Sequence, residues 1–151
     1  MNDLIFGGSI AGLIGGTVGI IFSHSMFIAG VTPTSSLHLA AALVLHDVMN
    51  LGAADIVISL LTHLATAAAF GVALALILRY TGKDHYLFKG AGFGVVICLI
   101  MHAYLIPILR RDLPIATVAS ESLVMITTHA IIGIIAAIIL VRYTKLRTDT
   151  Y

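Results

Sequence analysis

With 60% hydrophobic and only 10% charged residues over 151 positions, the chain lies far from a soluble composition, where charged residues alone make up about a quarter. Its mean hydropathy of +1.10 demands lipid as solvent, because a chain this short has too little interior to hide so much apolar surface. A net charge of +1 excludes a nucleic-acid footprint, and a single cysteine, Cys98, excludes an internal disulfide.

In chain order, the first apolar stretch covers residues 4–29. Met1-Asn2-Asp3 lacks the positive start of a signal peptide, so this helix is expected to be retained. Gly8, Gly12 and Gly16 repeat at four-residue spacing, as do Gly15, Gly19 and Ser23. In lipid, helices associate through such small faces, which predicts contact with other helices or with further copies or partners. Residues 31–54 come next. Thr32-Pro33-Thr34-Ser35-Ser36 is turn and N-cap chemistry, and residues 37–49 then read as a short apolar helix. A span takes about 20 residues, so this helix is expected to be re-entrant, interfacial or packed across the bundle's mouth, with a fifth crossing as the alternative.

Three further charge-free stretches, residues 56–78, 90–109 and 122–141, are long enough to cross. Cys98, mid-helix in one of them, reads as an inert buried thiol. The expected architecture over residues 1–151 is one all-α transmembrane domain, a four-helix bundle with an added short helix. Arg79, Lys83 and Lys89 share one loop, while Arg142, Lys145 and Arg147 form the tail, against Arg110 and Arg111 opposite. The basic side marks the cytoplasm, so both termini are expected there. Tyr80, Tyr86, Tyr104 and Tyr143 fall near the interfaces, as an aromatic belt does.

Histidine placement is the strongest functional signal. His63 follows Asp55 by eight residues, His129 follows Glu121 by eight, and His102 precedes Arg110 by eight. At 1.5 Å per residue each lies about 12 Å inside its charged residue, on the same membrane side. His24, nine residues before Pro33, has a similar depth on the first helix. Small and polar residues share each histidine's side: Ser59, Ala67 and Gly71 with His63, Gly94 and Cys98 with His102, Met125 and Gly133 with His129. That side is expected to face other helices.

Four imidazoles at one level suit three uses. As neutral metal ligands they need partners for their second nitrogens, for which Thr62, Thr128, Ser23 and Ser59 are at hand. As axial ligands they suit haem b, with Arg110 and Arg111 meeting the propionates. As a proton or small-solute pathway they would work with Asp55 and Glu121 at its mouth. A structural reading competes with all three: each histidine makes an interhelical hydrogen bond, and the protein is an accessory subunit of a membrane complex. His38 and His46 lie on the external segment, and His85 in the basic loop reads as solvated. No nucleophile–base set, no strand-linked glycine loop and no cysteine pair point to a soluble enzyme class.

Leu45-His46-Asp47 with Leu51-Gly52, then Thr62-His63, then a glycine-rich helix ending at His102 with Pro107, then His129 with Arg142, resembles the YagU-type bacterial inner-membrane proteins over residues 43–142. Two features depart from that pattern: His46-Asp47 stands where the family has Arg-Asp, and its proline-rich upstream stretch is reduced to Pro33. The resemblance implies a bacterial inner-membrane location and a link to acid tolerance.

Overall fold

The computed structural model describes residues 3–45, 48, 51–105, 108 and 119–144. Among them it is all helix and turn, without a strand, and four helices are long and apolar enough to cross a membrane. The chain is an all-α membrane bundle.

Helix α1, Leu4–Ile28, starts where the Asp3 side chain accepts from the amides of Ile5 (2.8 Å) and Phe6 (3.0 Å). It stops in a Schellman turn: Gly30 takes φ +71°, its amide bonds Phe27 O, and the Val31 amide bonds Met26 O. The turn leads into α2, Ser36–Ala42, shorter than the residues 37–49 expected from hydropathy. Its first amide, on Ser36, donates to Ser23 Oγ of α1 at 2.8 Å, which pins the short helix to the long one. Helix α3, Ala53–Thr81, opens with Asp55 reaching back to the Gly52 amide at 2.9 Å. Its far end is capped by Lys89 Nζ, which donates to the carbonyls of Thr81 (2.8 Å) and Gly82 (3.0 Å), a cation at the negative end of the helix dipole.

Helix α4, Tyr86–Ile100, runs on into a π-helical turn, Met101–Leu105. Helix α5, Ala119–Tyr143, completes the set. The inner pair is α1 and α5, with 39% of each apolar window buried inside the bundle, against 22% for α3 and 17% for α4 with its π turn.

Glycine decides which helices touch. A side chain at Gly8 or Gly12 would strike the α3 backbone at Val72 or Ala67, and one at Gly71 would strike α1 at Gly8 and Gly12. Gly15 and Gly19 lie instead against Ile132 of α5. The two glycine rows of α1 therefore serve two different partners. Gly90 and Gly94 of α4 meet Gly133 and the His129 carbonyl of α5 in the same way. Packing runs in the order α3, α1, α5, α4, while the outermost pair meets chiefly through the edge-on rings of Phe70 and Phe93, 6.5 Å apart.

The two ends differ in chemistry. At the end bearing Leu4 and Tyr86, the core is Ala11, Leu74, Ala75, Leu78, Ala136, Ala137 and Leu140. At the α2 end the buried side chains include Ser23, Ser35, Ser36, Ser59, Glu121 and Thr128.

Candidate functional site

Beneath α2 lies a cavity of about 60 Å³, roofed by Ser36, Leu39, Ala40 and Leu43. Its walls are His63, Thr66, Ala67 and Phe70 of α3, Met101 and His102 of the π turn, and His129 of α5. Three of the four histidines placed at one depth by spacing thus share one space. It has room for a few waters or a small ion, each water needing at least about 10–15 Å³ for its centre.

The protonation pattern follows from the hydrogen bonds. A helical side chain leans back over the preceding turn, so its near nitrogen meets the carbonyl four residues earlier. His102 Nδ1 lies 2.9 Å from Cys98 O, and His129 Nδ1 lies 2.8 Å from Met125 O. A carbonyl only accepts, so both Nδ1 atoms carry the hydrogen and both Nε2 atoms keep the lone pair. The two rings stand edge to face with centroids 5.7 Å apart. His63 is the reverse case: its Nε2 donates to Gly16 O of α1 at 3.3 Å, leaving the lone pair on Nδ1.

Among the described residues, two buried polar atoms of this space have no hydrogen-bond partner, His102 Nε2 and Ser36 Oγ, and Ser36 is only 4% exposed. Buried polar atoms are normally satisfied, so these two set the cavity apart from the apolar packing around it.

His24 does not join them. It stacks on Phe27 at 5.7 Å between centroids, Phe27 in turn meets His38 at 4.8 Å, and His24 lines no part of the cavity. Rotation separates it: eight residues beyond Gly16 is about 80° around the helix from the face that packs on α3. Of the four histidines expected as one ligand set, the structure brings His63, His102 and His129 onto the cavity and leaves His24 away from it. Among the described residues no group of three or more His, Cys, Asp or Glu is placed to hold one metal ion. Three of the four hydroxyls expected to orient the imidazoles bond elsewhere: Ser59 Oγ donates to Asp55 O, Thr128 Oγ1 donates to Val124 O, and Ser23 Oγ accepts from the Ser36 amide. Backbone carbonyls take that role.

Asp55 serves as the N-terminal cap of α3. Glu121, only 6% exposed, accepts from the Thr34 hydroxyl and stands within electrostatic reach of His102. His38 closes a capping box with Ser35, and His85 is the left-handed residue (φ 53°) before α4. Arg110, Arg111 and His46 lie outside the described residues. Sequence reasoning missed Met101 and Ser36. The signal for Met101 was Pro107 downstream, which lacks the N–H to continue a regular ladder and so favours an irregular turn before it.

No protein-family model, curated protein or solved structure matches this chain.

Proposed function

We propose that this protein is a membrane-embedded metal-binding module, in which His102 and His129 offer neutral Nε2 ligands to one transition-metal ion and His63 forms the facing wall. The observation that carries this reading is the paired tautomer: both rings are locked by Nδ1–H bonds to carbonyls, the arrangement in which a histidine presents Nε2 to a metal. Ring centroids 5.7 Å apart put the two imidazoles within the separation that two ligands of one ion at about 2.0–2.1 Å each would have. A cavity of about 60 Å³ favours an ion over haem, since organic ligands occupy pockets of roughly 300–1,000 Å³.

A second reading, a proton or small-solute pathway, is favoured by Glu121, buried beside Thr34 and close to His102. Six basic residues on the Arg79 and Arg142 side support cytoplasmic termini, and the YagU-type resemblance supports a bacterial inner membrane.

Elemental analysis and absorption spectra of detergent-purified protein test the proposal. The wild type is expected to retain about one equivalent of a transition metal. His102→Ala and His129→Ala should each lose it with helicity unchanged, and His85→Ala should not. Metal retained by the His102→Ala/His129→Ala double variant would refute this assignment. A metal-free wild type whose proton flux in liposomes falls on Glu121→Gln would put the pathway in its place.

A further inference from the structure

We infer that the ion taken by this cavity is soft and monovalent, with the properties of copper(I), and that the Met101 thioether is one of its ligands. The inference rests on the metal-binding reading above and narrows it to one class of ion.

The first argument is charge. Among the described residues the cavity is lined by three histidines, Met101, Ser36, Thr66 and apolar side chains, with no acidic residue and no cysteine in the lining. Asp55 is occupied at the start of α3, and Glu121 lies outside the lining, engaged by Thr34. The Born cost of burying an ion grows with the square of its charge, so a divalent ion meets about four times the penalty of a monovalent one. Buried divalent sites offset that penalty with carboxylates or thiolates. With only neutral side chains among the described lining residues, and Glu121 set back beside Thr34, the monovalent ion is favoured.

The second argument is softness and number. Thioether and imidazole together suit copper(I), whereas carboxylate, carbonyl and water suit magnesium, calcium and manganese. Copper(I) accepts two or three ligands, which is what His102, His129 and Met101 provide. Zinc's structural sites take four, and no third His, Cys, Asp or Glu joins the pair among the described residues.

The third argument is the backbone. Adjacent residues of an α-helix point about 100° apart, so only one of Met101 and His102 would normally face a small cavity squarely. The π-helical turn widens the helix at this point, and both residues line the space. Such turns occur often at functional sites, and this one starts at the two side chains in question.

Competition titrations against chelators of known affinity, on the full-length protein in detergent, test this with copper(I), silver(I) and zinc(II). The expected result is one equivalent of copper(I) or silver(I) bound at least tenfold more tightly than zinc(II). X-ray absorption should show mixed nitrogen and sulfur ligation. Met101→Leu, which keeps the volume, should weaken copper(I) binding about tenfold and remove the sulfur signal, and His102→Ala should abolish binding. Zinc(II) bound as tightly as copper(I), or Met101→Leu without effect on affinity and ligation, overturns the inference and leaves the metal-binding module standing. Absence of binding by all three ions overturns both.

Discussion

His102 and His129 owe their orientation to carbonyls, and a carbonyl is present at every residue, so no spacing rule could announce it. What spacing did announce was depth: the eight-residue intervals from Asp55, Glu121 and Arg110 put three histidines on one level, and those three share a cavity. His38 shows how a single proton acts on such structure. Its Nδ1 accepts from the Ser35 amide at 3.2 Å, which requires the neutral ring. Burial, and next the neighbouring His24 on α1, hold its pKa below the ordinary 6.5. The sign follows: the folded state favours neutral His38, so its contribution is whole above 6.5 and is lost as pH falls through the lower folded value. The protection factor of the Ser35 amide, which removes the intrinsic slowing of exchange in acid, should therefore fall on acidification, and His38→Gln should flatten that dependence. A protection factor indifferent to pH in the wild type would remove His38 from this role.

At the scale of elements, the glycine rows were legible because a four-residue repeat of small residues has one physical use in lipid. Which row meets which helix was not, since that depends on how the chain returns. Gly12 approaches the Ala67 carbonyl and Gly94 the His129 carbonyl, both rigid backbone. Gly12→Leu and Gly94→Leu should each destabilise the bundle by at least the roughly 1–3 kcal/mol typical of overpacking. Gly92 faces open space, so Gly92→Leu should be near neutral. Thermal unfolding in one detergent compares the three, and equal midpoints would mean that these contacts do not form. Hydropathy puts the short helix at residues 37–49; of that stretch the described helix is Ser36–Ala42, and residues 46, 47 and 49 lie outside the described residues. Leu43 and Leu45 continue the apolar pattern, yet the helix has already loosened, with the Leu43 amide at 3.3 Å from Ala40 O and the Leu45 amide on Ala41 O. Apolar residues after Ala42 fill space against Ala41 and Val48 without needing a helix to do so.

For the whole molecule, orientation is the property most open to direct test. The expected cytoplasmic side carries Arg79, Lys83 and Lys89 and the basic tail. Single cysteines at Lys83 and at the C-terminus, in a Cys98→Ser background, should resist an impermeant thiol reagent in intact cells. One at Asp112 should react. Labelling at position 83 instead would invert the assignment and move the histidine cavity to the cytoplasmic half.

The packing order α3, α1, α5, α4 also fixes a sequence in time. A chain made from its N-terminus presents α1 first, and α3 can dock on Gly8 and Gly12 as soon as it emerges, with α2 already tied to α1 through Ser23. For α4 the situation is different, because its glycines match only Gly133 and the His129 carbonyl of the helix still to come. Until α5 is synthesised, α4 has α3 to meet, through the rings of Phe70 and Phe93, and its glycine face stays unfilled. Only then does α5 meet α1 through Ile132 and bring His129 to the cavity. The histidine site is therefore completed only when α5 docks, and a product that stops before α5 cannot carry it.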